Sequence, residues 1–170
     1  MATVTQPLRD EHKELIPHVE TLKAAGDAIH EVLNPLDLEL VHKATTFLTH
    51  HLLPHAKAEE MALYPVVRKV MGAEEGTLTM SQDHQEVERL TQELLLLQSK
   101  ISGTNISEYQ AADLRRVLYG LYAIVKLHFA KEEDVYLPLL DAHLTPEHAQ
   151  EMFAAMDTAA HAAKAHLQEE

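Results

Sequence analysis

Apolar residues recur along the chain at alternating steps of four and three, which is the spacing of one buried face on an α-helix. A shorter fifth pattern follows Thr145. The four long stripes cover residues 8–33, 41–66, 80–101 and 114–139. The pattern predicts an all-α protein, an up-down antiparallel four-helix bundle over about residues 8–141 with an additional C-terminal helix over about residues 146–167. We expect a single domain over residues 1–170.

Ionisable side chains interrupt these apolar stripes at positions that face the predicted core. The first and third stripes each contain one histidine, and the second and fourth each contain a histidine followed four residues later by a glutamate. These residues are His12, His55, Glu59, His84, His128 and Glu132. Residues four apart share a helix face, so each pair can direct an imidazole and a carboxylate to one point. Because an unpaired buried charge is costly, the six residues predict either a polar network or a metal site.

The two halves of the chain repeat this arrangement. The stretch around His12 matches the stretch around His84 at an offset of 72 residues, and residues 55–65 match residues 128–138 at an offset of 73. An up-down bundle would bring the two sets together around a pseudo-two-fold axis. Four histidines and two glutamates then suit two metal ions, with two histidines for each ion and both carboxylates bridging.

This pattern resembles the hemerythrin-like (HHE cation-binding) family over about residues 8–140, which is most of the chain. The resemblance rests on the order His, His-x-x-x-Glu, His, His-x-x-x-Glu, and on the paired glutamates and the prolines that follow His55 and His128. It implies a non-heme di-iron centre with an oxo or hydroxo bridge, held by the six residues above. Spacing alone leaves two zinc or manganese ions as alternatives, and a metal-free bundle with a polar core is a third.

Two positions depart from the pattern of the oxygen-carrying hemerythrins. Those proteins place a second histidine four residues after the histidine of the third stripe, where this chain has Glu88. They also use His-x-x-x-x-Asp where this chain has His128 and Glu132. A carboxylate in place of an imidazole adds negative charge, which we expect to favour ferric over ferrous iron. The resemblance is therefore weaker for an oxygen carrier, and it stays compatible with peroxide or nitric oxide chemistry at an open coordination position.

Six further residues are candidates for an additional ligand or for a contact that supports the ligands. They are Glu88, Glu60, Glu133, His51, Tyr64 and Tyr136. Glu88 lies four residues after His84 and shares its face, whereas Glu60 and Glu133 directly follow the two bridging candidates. We expect these two glutamates to be solvated or to support the ligands. His51 lies one turn before a candidate ligand, and either tyrosine could donate a hydrogen bond to a bridging carboxylate.

Composition narrows the chemistry further. The chain has 13 histidines and no cysteine, so a metal must be held by nitrogen and oxygen. Lys and Arg total 14 against 27 Asp and Glu, and this net charge of -13 argues against a nucleic acid or an anionic membrane as partner. No apolar run approaches the roughly 20 residues of a membrane span, and the first residues lack the apolar core of a signal peptide. We expect a cytoplasmic protein and make no prediction of its oligomeric state.

The resemblance implies a di-iron oxidoreductase that disproportionates hydrogen peroxide as a catalase does, and this is the leading hypothesis. Such an enzyme would act under oxidative stress, and nitric oxide is a second candidate ligand. The alternative is a sensor or storage module that binds O2, NO or iron without turnover.

Overall fold

The computed structural model describes residues 3–167, with side chains to residue 165, and all regular secondary structure in this range is helical. The all-α prediction is confirmed. The α-helices are α1 (Gln6–Ala28), α2 (Pro35–Phe47), α3 (Leu53–Ala58), α4 (Tyr64–Met71), α5 (Leu78–Ser99), α6 (Glu108–Lys131), α7 (Leu137–His143) and α8 (Pro146–Leu167). Three π-helical turns lie between them, namely π1 (Leu48–Leu52), π2 (Glu59–Leu63) and π3 (Glu132–Tyr136).

The π turns join shorter helices into two long ones. Residues 35–71 form one continuous helical run through π1 and π2, and residues 108–143 form another through π3. A proline follows each π turn, at Pro54, Pro65 and Pro138. Proline inside a helix lacks an N–H and its ring collides with the carbonyl four residues earlier. A wider turn before each proline relieves that collision, so the helical run continues past all three prolines.

Helix ends are set by local hydrogen bonds. The Asn34 side chain accepts from backbone N–H groups at the start of α2, and Ser107 does the same for α6 through Gln110. Gly72 ends α4 with φ of 64°, a left-handed conformation that suits glycine. The loops that follow α1 and α5 meet each other, since the Leu33 N–H donates to the Thr104 carbonyl at 2.7 Å.

Packing brings together the segments that carry the candidate ligands. Helix α6 packs against α1 and α5, and α1 also packs against α2. Helix α8 packs along α3 and π2, so it covers the segment that carries His55 and Glu59. The predicted C-terminal helix is therefore present, and it lies against the part of the 35–71 run that carries these two residues.

Two hydrophobic cores lie on either side of a polar layer. Along α1, Leu8 belongs to one core and Leu15 to the other, and His12 lies between them. On α5, Met80 and Val87 belong to different cores in the same way. Each fully buried aliphatic side chain contributes about 2 kcal/mol, and the two cores together stabilise a fold that holds polar groups at its centre. No helix among residues 3–167 combines the length and the apolar character that crossing a bilayer requires.

Candidate metal centre

The polar layer contains all six residues that the repeat singles out. Each comes from a different helical segment or from a π turn that continues it: His12 on α1, His55 on α3, Glu59 on π2, His84 on α5, His128 on α6 and Glu132 on π3. Five of the six are buried, and the His84 side chain is 11% exposed. The arrangement has two overlapping groups of potential ligand atoms, within each of which the atoms lie within 4.8 Å of one another.

The first group, here called subsite 1, consists of His12, His55, Glu59 and Glu132. The Nε2 atom of His55 lies 2.9 Å from Oε1 of Glu59. The Nε2 atom of His12 lies 3.3 Å from Oε2 of Glu132 and 3.8 Å from Oε1 of Glu59. Two imidazole nitrogens and two carboxylate oxygens therefore face one point.

The second group, here called subsite 2, consists of His84, His128 and Glu59. The Nε2 atom of His84 lies 3.2 Å from Oε2 of Glu59, the oxygen that subsite 1 does not use. The two imidazole Nε2 atoms are 3.0 Å apart. Nitrogens bound at about 2.1 Å, the distance found for zinc, would lie about 3.0 Å apart at a right angle around one ion. The spacing therefore fits two ligands of a common metal.

Each bridging candidate begins a π turn. Glu59 is the first residue of π2, and Glu132 is the first residue of π3. Such turns are frequent at functional sites. The two glutamates thus occupy equivalent positions in the two halves, and each carboxylate is fully buried.

Four outer carboxylates fix the orientation of the imidazoles. The Nδ1 atom of His12 is 2.8 Å from Glu133, and that of His84 is 2.9 Å from Glu60. The other two histidines have similar partners: the Nδ1 of His55 is 3.0 Å from Glu11, and the Nδ1 of His128 is 3.1 Å from Asp83. An acceptor at Nδ1 places the proton there and leaves Nε2 free to bind a metal.

Sequence reasoning missed two of these four partners. Glu60 and Glu133 were candidates, whereas Glu11 and Asp83 were not. Each of the missed residues directly precedes a candidate histidine, at the same offset of 72 residues as the repeat. That repeated acid was the available signal.

The buried imidazoles and carboxylates of the cluster shift one another's pKa values. Burial opposes a charge on His12, yet the neighbouring Glu132 raises its pKa to about 9. Burial also opposes a charge on His128, and the hydrogen bond with Asp83 raises its pKa to about 11. Burial alone would raise the pKa of Glu59, but the surrounding imidazoles hold it well below the usual range. In the absence of a metal, the raised pKa values of His12, His55 and His128 favour protonated imidazoles that balance the buried carboxylates.

Five buried atoms have no partner with hydrogen-bonding geometry among the residues that the structure describes. They are Nε2 of His12, Nε2 of His55, both carboxylate oxygens of Glu59 and Oε2 of Glu132. Buried polar atoms are almost always paired, and all five belong to the two subsites. Cations bound between them would satisfy every one, so the residues present fit a metal centre.

Tyr64 adds an oxygen atom to subsite 2. Its hydroxyl donates to Oε1 of Glu132 at 2.9 Å and lies 3.4 Å and 3.3 Å from Nε2 of His84 and His128. Burial, together with the nearby carboxylates, raises the pKa of this phenol. The tyrosine keeps its proton and directs it at the Glu132 carboxylate.

The remaining candidates lie elsewhere. The Tyr136 hydroxyl donates to the Gly76 carbonyl at 2.9 Å. The His51 ring is exposed and stacks on His18, with ring centroids 6.2 Å apart. Glu88 is exposed and lines a surface cavity that His84 also lines.

A family model describes this chain over the residues that build the cluster. The model of the hemerythrin HHE cation-binding domain matches residues 3–140, which include all six ligand candidates. The chain belongs to the hemerythrin family. Helix α8 lies beyond the matched span of the hemerythrin domain, although it packs against it. Comparison with curated proteins and with solved structures found no match.

Proposed function

We propose that this hemerythrin domain is an up-down antiparallel four-helix bundle that holds two non-heme iron ions, one in each subsite. The observation that carries the proposal is the position of Glu59. One of its oxygens faces His55 and the other faces His84. A carboxylate in this position can bind two ions at once, and Glu132 has equivalent access to His12 and His128 at 3.3 Å and 3.4 Å.

The composition of each subsite supports iron. Each contains two histidines and at least one carboxylate, which is the donor set of many non-heme iron(II) enzymes with open coordination positions. The lack of cysteine removes the soft ligands that favour copper(I) or iron–sulfur clusters. The membership of the chain in a family of cation-binding domains also supports this assignment.

We propose further that the centre disproportionates hydrogen peroxide, two molecules giving one O2 and two water molecules, and that it acts in the cytoplasm in defence against oxidative stress. When bound, the iron pair would supply the two-electron redox chemistry that this reaction requires. The outer carboxylates orient the imidazoles, and the two hydrophobic cores restrict water. Tyr64 holds a proton at the oxygen of Glu132, where it can be donated to a small ligand beside subsite 2.

The test combines metal analysis with oxygen evolution. Protein purified and loaded with iron should contain two ions per chain and should evolve O2 from hydrogen peroxide in proportion to that content. The same protein loaded with zinc should bind two ions and evolve none, because zinc has no redox chemistry. Full iron loading without oxygen evolution would refute the catalytic part and favour a reversible binder of O2 or NO, or an iron store. Failure to bind any metal would refute the proposal entirely.

A further inference from the structure

A cavity of about 480 Å³ leads from the surface towards the metal centre between α3, α5 and α8. Exposed Lys57 and Glu88 lie on its lining, and so does the imidazole of His84. A second, narrow space of about 10 Å³ shares Ala56 and His84 with this cavity, and its lining also includes Glu59, His55, His128 and Phe129. His84 of subsite 2 therefore lines both spaces, and the outer one is open to solvent.

The repeat explains why this side of the centre is open. Phe129 directly follows His128 and covers subsite 1, since its ring is stacked on His12 at 4.5 Å and meets the His55 ring edge-on at 5.9 Å. The equivalent residue in the first half, 73 positions earlier, is Ala56. The aromatic ring that closes subsite 1 therefore has a methyl group as its counterpart over subsite 2.

A second pair of equivalent positions also leaves subsite 2 more open than subsite 1. Arg9 contacts the outer carboxylate Glu133 at 2.5 Å and also reaches Asp141 at 3.1 Å. Its equivalent, 72 positions later, is Ser81, whose hydroxyl donates to Glu60 at 3.0 Å. Ser81 lines the cavity and occupies far less of it than an arginine would.

We propose that the centre is open on one side only, so that external ligands reach it through this cavity at subsite 2, while Phe129 and Arg9 close subsite 1. The inference rests on the proposed two-metal centre. The inner space is about the size that one water molecule needs, so it admits diatomic and triatomic molecules such as O2, NO, hydrogen peroxide or azide. Larger organic molecules are excluded from the ions.

Helix α8 forms the outer wall of this passage through Ala163. The helix lies outside the span that matches the hemerythrin domain, so the wall is an addition to that domain. Access to subsite 2 therefore depends on a segment that supplies no candidate ligand.

The test measures how fast azide binds to the oxidised, iron-loaded protein, followed by stopped-flow absorbance. Ala56→Phe replaces the missing ring and should slow azide association by roughly tenfold or more, because a close-packed interior offers no other path. Ala163→Phe narrows the outer wall and should also slow association. Ala162→Phe adds the same ring at an exposed position on the same helix and should leave the rate unchanged. Imidazole, which is too large for the inner space, should cause no absorbance change.

Iron content is measured first for every variant, which separates this inference from the proposed function. A protein that binds no iron refutes the two-metal centre itself. If Ala56→Phe does not fold, Ser81→Arg restores the second closing side chain and takes its place. Full iron loading with wild-type azide rates in the cavity variants would overturn the inference, as would rapid binding of imidazole.

Discussion

The two subsites are built from the same repeat, yet they differ in what surrounds them. Subsite 1 is covered by Phe129 and by Arg9, whereas the equivalent positions beside subsite 2 hold Ala56 and Ser81. Subsite 2 has the Tyr64 hydroxyl, and the position equivalent to this tyrosine is a buried leucine. The ligands follow the symmetry and their neighbours break it. We therefore expect the repeated histidines and glutamates to determine metal binding, and the asymmetric neighbours to determine which molecules reach the metal.

The largest expected effect comes from the carboxylate that both subsites share. Glu59→Ala should lower metal affinity at both subsites by roughly 100-fold or more, since loss of a direct ligand costs more than loss of an outer partner. Metal content after dialysis, measured by mass spectrometry, checks this. Glu132→Ala is the matched comparison, because Glu132 lies within 3.4 Å of one histidine from each subsite, while Glu59 approaches all four. Retention of two ions by Glu59→Ala would contradict the bridging role.

Removing a histidine should separate the two subsites. His55→Ala should release one ion and leave the other able to bind azide, because the open subsite 2 keeps both of its histidines. His128→Ala should also release one ion, but the ion that stays would be the covered one, and azide binding should be lost. Metal content and azide absorbance together test this pair. Equal azide binding by the two variants would show that the subsites are equally accessible.

A smaller effect is expected from an outer carboxylate. Asp83→Asn keeps the shape but weakens the acceptor for Nδ1 of His128, and should reduce metal affinity at subsite 2 by about 10–100-fold. A competition titration with a chelating dye measures it. Glu86→Gln changes an exposed acid on the same helix that pairs with Arg89, and it should leave affinity unchanged. An effect of equal size in both variants would point to overall charge instead of to this hydrogen bond.

The smallest expected effect, which the two subsites should share, is a rise of metal affinity with pH. Raised pKa values keep His12 and His128 protonated at neutral pH in the metal-free protein, so metal binding must release protons. Each displaced proton makes the affinity rise about tenfold per pH unit until its pKa is passed. That limit is about 9 for His12 and about 11 for His128, and the carboxylates beside His55 also raise its pKa well above the usual range, so the affinity of both subsites should rise from neutral pH to at least pH 9. Zinc titrations at several pH values in a weak buffer, with a proton indicator, measure both; a titration that releases no protons would contradict it.

Much of the centre could be predicted because helical periodicity and internal repetition agree. The six ligand candidates lie on the buried faces, and spacing alone identifies them. Glu11 and Asp83 were missed as hydrogen-bond partners because a residue one position before a candidate ligand lies about 100° further around the helix. Its contacts then depend on the neighbouring helix. Glu88 shows the opposite limit. It shares the face of His84, but spacing indicates the face of a residue and not its depth.

The two tyrosines could not be separated from sequence. Both follow a bridging candidate by four or five residues, and only one of them reaches the cluster. Tyr64 lies just beyond its π turn, whereas Tyr136 is the last residue within the equivalent turn and donates to Gly76 instead. A periodicity of 3.6 residues contains no information about a turn of different width.

In part of each long helix, the π turns also make the number of residues in the segment more important than the identity of each residue. Met61 lies within π2 and is 60% exposed, so many side chains should be accepted there. Adding a residue beside Met61 is a different matter. The widened turn already holds one residue more than an ordinary turn, so a further residue would rotate everything beyond it by about 100° and would carry the Tyr64 hydroxyl away from Glu132. A deletion would be absorbed, because the turn can close to the ordinary width and leave the helix beyond it facing nearly the same way. Insertions in this stretch should therefore be far more damaging than any substitution, even where the altered residue touches nothing but solvent.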